Sequence, residues 1–223
     1  MSPRKAAALR HAGELSLRDH LIAAAERLIA ERGVAGLTVR HIAREARVAD
    51  GVLYNHFTDK EELLAHALRA HVRTVERTLP DLPRAGSGTV EANLRAYVLH
   101  GLTLHAAILP AFAGLLSQPD VFTRFNALTR PDGRPGLTRA LADHLRAEQG
   151  LGRVARHVNA DAAATMIVGS CHELVLPHMF HQSPAGPLQV PAGFVDDLVG
   201  TLLNGIRPPG HGHPDGDTPE EAR

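Results

Sequence analysis

The stretch Thr38 to Lys60, TVRHIAREARVADGVLYNHFTDK, constrains this chain more than any other. Thr38 suits a helix N-cap, because its hydroxyl accepts from an orphan backbone N–H at a helix start. Val39, Ile42, Ala43 and Ala46 then recur on one helical stripe. Val48 is an apolar plug at a turn. A second short helix, Ala49 to His56, turns Leu53 and Phe57 to a core and Val52, Tyr54, Asn55 and His56 away from it. Thr58 to Glu61 has the T-x-x-E form of a capping box and opens a longer helix. Two short helices around a tight turn, the second polar outward, suit a helix-turn-helix that enters a DNA major groove.

The rest of the chain is consistent with an all-α fold. The sequence is 44% hydrophobic but holds six Phe, two Tyr and no Trp among 223 residues, so Ala, Leu and Val must fill the core. No apolar run reaches the roughly 18 residues of a membrane span. The N-terminus lacks the apolar core of a signal peptide. A single cysteine, Cys171, excludes an intramolecular disulfide. These features predict a cytoplasmic protein without a membrane partner. Net charge is zero but uneven: residues 1–60 carry about +3 and the remainder about −3. A basic front is what contact with nucleic acid needs.

Periodicity and breakers divide the chain into four parts. Residues 1–15 read as a flexible basic arm. Residues 16–78 hold a helix from Ser16 or Leu17 to Arg32, the two short helices, and a longer one to Thr78. The Pro- and Gly-rich run 80–89 is a boundary. Residues 79–206 contain apolar helices over about 90–117, where Pro110 should kink or break the run, then 120–129, 137–149, 160–180 and 194–206. Residues 207–223 lack apolar periodicity and read as a disordered tail.

The front part closely resembles the TetR family of bacterial transcriptional regulators. The residues that carry this are Thr38, Ile42, Ala43, Ala46, Val48, Gly51, Tyr54, Phe57, Lys60 and Leu63, at the spacing of the family's signature. The resemblance implies a three-helix DNA-binding domain, a linking helix, and a C-terminal helical ligand-binding and dimerisation domain. It implies that Tyr54 and Lys60 contact phosphates, that Thr38 faces a phosphate at a helix N-terminus, and that Arg40 lies near the backbone or groove edge. Gly51 would permit close approach to the DNA, Val52 and Asn55 would face base edges, and His56 would donate to a phosphate or base. Two positions depart from the family pattern. Ala49 stands where Ser or Thr commonly caps the second helix, and Asp50 follows it. Asp50 either takes the cap by a one-residue shift or accepts from a cytosine amino group.

For the second half, the resemblance implies a small-molecule effector and a homodimer. Helix 194–206 carries two adjacent apolar columns, and helix 160–180 is Ala-rich. Paired across a two-fold axis they would form a four-helix bundle through Ala163, Ile167, Leu174, Val195, Leu198, Val199, Leu202 and Leu203. Ligand candidates are Tyr97, His100, Leu104, Phe112, Leu116, Phe122, Phe125, Met166, His172 and Met179, with His105, Asn126 and Glu173 as further polar candidates. Such a lining favours a small, mostly apolar ligand. Fifteen histidines raise the question of metal, and His172, Glu173, His178 and His181 fall within ten residues. Their spacing contains no H-x-x-x-H pair, and no metal site or cofactor is expected. No phosphate loop, nucleophile elbow or H-E-x-x-H motif is present, so no enzyme is expected. The sequence therefore points to a regulator, expected to be a repressor released from an inverted-repeat double-stranded DNA operator. The alternatives are a metal-responsive regulator and a helical sensor without specific DNA binding.

Overall fold

The computed structural model describes residues 3–128, 135–180 and 188–205, with side chains at 17–112, 114–115, 117–128, 135–177 and 188–205. Among these the chain is all-helical: α1 (Pro3–Arg32), α2 (Val39–Ala46), a first 3-10 helix (Asp50–Asn55), α3 (Lys60–Thr78), α4 (Val90–Phe112), a second 3-10 helix (Ala113–Ser117), α5 (Pro119–Ala127), α6 (Leu137–Gly150), α7 (Ala160–Phe180) and α8 (Phe194–Asn204).

Helix α1 begins at Pro3, well before the expected Ser16 or Leu17. Pro fits a first helical position, and the Ala- and Leu-rich run after it favours helix. The helix ends at Gly33, whose φ of +70° a residue with a Cβ rarely adopts. Its Leu21, Ala24, Ala25, Leu28 and Ile29 are buried against Leu63, Leu64, Ala67 and Leu68 of α3. Ile42, Ala46, Leu53 and Phe57 complete this first core.

The boundary expected at residue 79 does not bound this core. Ala111, Leu115 and Val121 are buried in it, and Phe112 and Phe125 pack on it with their rings edge to face, 5.1 Å apart. The end of α4 runs helically through Pro110 to Phe112 and then tightens into the 3-10 turn. There the Ala111 carbonyl accepts from Val34 N–H at 3.2 Å, and Gln118 Nε2 donates to the Val34 carbonyl at 3.0 Å. Residues 33–37, which lead into α2, are thereby fixed to the second half of the chain.

Gly114 makes this contact possible. A Cβ there would lie 2.5 Å from the backbone nitrogen of Ala35 and 2.8 Å from its Cα. Gly114→Ala must therefore push two backbones apart, at a cost of about 1–3 kcal/mol. Thermal unfolding is expected several degrees lower, and an unchanged midpoint would show that the two segments are not in contact.

The second core is built by Leu94, Tyr97, Val98 and Leu102 of α4, Leu141 and Leu145 of α6, Ala164, Ile167 and Cys171 of α7, and Val199 of α8. The Pro/Gly-rich connection 80–89 is pinned beneath it. Glu148 of α6, fully buried, accepts from Gly86 N–H at 3.2 Å and from Asn93 Nδ2 at 3.3 Å.

Candidate nucleic-acid interface

The turn after α2 is set by Arg47, the one non-glycine residue with positive φ among those described (φ 57°, ψ 43°). Its N–H donates to Arg44 O and the Val48 N–H to Ala43 O at 3.0 Å, the two bonds of a Schellman end. Thr38 caps the other end, its hydroxyl accepting from His41 N–H at 3.2 Å. An arginine in the left-handed region costs about 1–2 kcal/mol. Arg47→Gly relieves this strain but enlarges the unfolded ensemble, so a net gain of about 0.5–1 kcal/mol is expected. The melting midpoint should rise by roughly 1–4 °C; a fall would mean that the Arg47 side chain stabilises the turn.

The expected second α-helix is a 3-10 helix over Asp50–Asn55. Ala49 occupies the N-cap with no side-chain hydrogen bond, and Asp50 sits inside the first turn, so the shifted cap at Asp50 does not form. Instead Asp50 Oδ2 lies 3.7 Å from Arg40 Nε, both exposed. With neither an N-cap acceptor nor more than six residues, the segment has little to sustain i→i−4 bonding and takes the tighter form. Its anchoring is as expected: Leu53 and Phe57 are buried. Gly51, Tyr54 and Asn55 are exposed, Tyr54 at 59%, while Val52 and His56 are half-buried.

The capping box also moves by one residue. Asp59 is the N-cap of α3, accepting from Glu62 N–H at 2.9 Å. Glu62 reaches back to Thr58, accepting from its N–H and its hydroxyl, each at 2.8 Å. Lys60 then falls in the first turn, 3.5 Å from Glu61. The predicted residues Thr38, Arg40, Asp50, Gly51, Val52, Tyr54, Asn55, His56 and Lys60 thus flank one turn and the start of α3. His41, Arg44 and Arg47, outside the predicted set, are exposed on the same segment. They lie off the buried Ile42–Ala43–Ala46 stripe.

The ligand candidates do not converge. Tyr97 is buried in the second core, whereas Phe112 and Phe125 belong to the first. Phe122 and Met166 are 49% and 58% exposed, and Asn126 and Glu173 are also exposed. His172 Nε2 lies 3.0 Å from His105 Nε2 of α4. Leu116, Met179 and His178 lie outside the described side chains, as does His181. His100 and Leu104 do share a cavity of 110 Å³ under Leu79–Leu82. A second cavity of 240 Å³ shares Leu79–Leu82 and His100 in its lining. Among the described residues no group of three or more His, Cys, Asp or Glu is placed to hold a metal ion.

The dimer set needs correction. Ile167 and Val199 are buried within the protomer at 1% and 0% exposure. Helix α7 packs on α4 and α6, and α8 on α4, which uses those columns internally. Ala163, Leu174, Val195, Leu198 and Leu202 are half-buried on the same core, leaving Leu203 exposed. The outward face of α7 carries Met166, Gly169 and Leu176, with Glu173 between them.

Fold and site together define a helix-turn-helix head on an all-helical body. Residues 21–67 match the family model described as bacterial regulatory proteins, tetR family. The segment that holds the turn is thus similar to the DNA-binding part of TetR-family regulators. Curated relatives match the front segment. The regulator HbdR of Aromatoleum sp. (strain CIB) is 38% identical over 63 residues, 28% of each chain. The repressor NemR of Escherichia coli (strain K12) is 30% identical over 84 residues, 38% of this chain and 42% of that one. The chain thus spans less than half the length of these relatives. The structure of the TetR-family regulator SCO0332 superposes with a TM-score of 0.56 at 26% identity, over 86% of this chain and 99% of that one. The fold also matches FadR of Bacillus subtilis, solved with stearoyl-CoA, with a TM-score of 0.58 at 22% identity over 84% and 98%. Among the described residues no helix is long and apolar enough to cross a membrane.

Proposed function

We propose that this protein is a ligand-responsive, DNA-binding transcriptional repressor that acts as a homodimer on an inverted-repeat operator. The observation that carries the reading is the turn at Arg47–Val48. It seats Leu53 and Phe57 in the core and leaves Gly51, Tyr54 and Asn55 exposed, as Thr38 is, with Lys60 half-buried. Asn55 suits bidentate pairing with adenine, Val52 suits a thymine methyl, and Tyr54 and Lys60 suit phosphates. A dimer presents two such heads one helical turn of DNA apart, and Met166, Gly169 and Leu176 of α7, around Glu173, with Leu203 of α8 are exposed residues that a partner could cover.

The effector is a small, mostly apolar molecule, seated in the paired cavities beside His100. Their walls are mainly Leu79, Leu82, Leu99, Leu104 and Leu137, with His100, Thr103, Glu76 and Asp81 as the polar groups. The ligand biases the dimer toward a head spacing that no longer fits the operator, an effect set by its differential affinity for the two states.

The test is selection of genomic fragments by the purified protein, followed by footprinting. The expected result is a protected inverted repeat whose affinity falls steeply with salt. Recovery of no specific fragment at low salt would overturn the reading.

A further inference from the structure

Four carboxylates crowd the head around the 3-10 helix and the start of α3, and each has a cation beside it. Asp50 is 3.7 Å from Arg40, Glu61 3.5 Å from Lys60, and Glu62 3.3 Å from Arg18. Those three cations belong to the head itself. The fourth pair differs. Asp59 is held by Arg124 of α5, whose Nη1 and Nη2 donate to its two oxygens at 2.6 and 2.7 Å. This is the bidentate fork that makes an Arg–carboxylate pair directional.

The α3–α5 contact is reciprocal. Arg69 of α3 donates to the carbonyls of Phe125 and Leu128 at 2.8 and 3.2 Å, and its guanidinium lies 4.1 Å from the Phe125 ring centre. Arg124 sits in the last turn of α5, where a cation meets the negative end of the helix. The position of α5 therefore decides whether Asp59 is neutralised. Asp59 adjoins Lys60, so its charge falls within about 10 Å, one screening length, of a phosphate held there.

We propose that Arg124 is a positioning residue that masks the Asp59 charge at the DNA face, so that withdrawal of α5 bares a carboxylate against the phosphate backbone. The inference rests on the DNA-binding reading and assigns one charge of the head to an element of the second half. Displacement of α5 then weakens binding by like-charge repulsion, whether or not the head itself moves.

The full-length protein is titrated against a 30-base-pair duplex of random sequence at low salt, where the electrostatic part of binding dominates. Arg124→Gln is expected to bind about fivefold more weakly. Asp59→Asn keeps an N-cap acceptor and is expected to bind as well as the parent or better, and the double variant should return near the parent. Arg146→Gln, on α6 and away from the head, should leave affinity unchanged. A loss in Asp59→Asn equal to that in Arg124→Gln would overturn masking in favour of a mechanical clasp. An equal loss in Arg146→Gln would overturn it in favour of net charge. If the parent protein binds no duplex at all, the DNA-binding reading fails and the proposal falls with it. If the parent binds and Arg124→Gln is unaltered, the masking alone fails.

Discussion

Replacing Glu148 by alanine is expected to lower folding stability by about 3–5 kcal/mol, the usual cost of removing one member of a buried charged cluster. The carboxylate is fully buried and four groups converge on it. Oε1 accepts from Gly86 N–H and Asn93 Nδ2, and His144 Nε2 approaches it at 3.5 Å. Oε2 lies 3.2 Å from Arg153 Nε. Arg153 also donates to the Gly88 carbonyl at 2.8 Å, and Asn93 Nδ2 to the Ser87 carbonyl at 2.9 Å. The side chain therefore ties the 80–89 connection to α4, α6 and the turn after α6. Truncation strips the Gly86 N–H of its acceptor, removes one of two acceptors from Asn93, and leaves a cavity. At this chain length the melting midpoint should fall by roughly 6–20 °C. Glu148→Gln keeps one acceptor oxygen and should cost about half as much. A Glu148→Ala midpoint within a degree or two of the parent would show that the network does not hold the connection.

That network illustrates what could and could not be read from the chain. Periodicity located the helices because each buries a single stripe, as with Leu21, Ala25, Leu28 and Ile29 in α1. It could not tell which partner a stripe meets. Ile167 and Val199 form columns suited to a dimer, yet they are consumed by α4 and α6 within the protomer. Local ambiguity misplaced the caps: T-x-x-E at Thr58 and D-x-x-E at Asp59 both fit a capping box, and Glu62 reaching Thr58 decides for the second. Ala49 gave fair warning of a weak helix start, and the segment after it is indeed 3-10. The return of α5 onto the first core left no sequence signal, because its contacts join residues 56–65 positions apart.

Stability is expected to fall as pH drops below about 6.5, because buried histidines here resist protonation. Burial, reinforced by the neighbouring His172, pushes His105 down from 6.5 to about 4. Burial also lowers His172, and it is the leading cause of the depression at His144 and His66. The groups facing His105 are His172, at 3.0 Å between Nε2 atoms, and His100 on its own helix. The sign follows from linkage. An unfolded chain takes up a proton at each histidine near pH 6.5, while the folded chain does not until His105 yields near pH 4. Between those limits the unfolded state binds more protons, so acid favours unfolding, by about 1.4 kcal/mol per pH unit for one such group. His105, only 7% exposed, accounts for up to about 3 kcal/mol by pH 4. Midpoints measured at pH 7.5, 6.0 and 5.0 should therefore decline, well above the range where Asp59 and Glu62, both held low by hydrogen bonds and nearby arginines, lose charge. His105→Leu places an apolar group of similar bulk between α4 and α7. It should flatten the profile between pH 6.5 and 5 with little loss at pH 7.5. A His105→Leu profile parallel to that of the parent would assign the acid sensitivity to other groups.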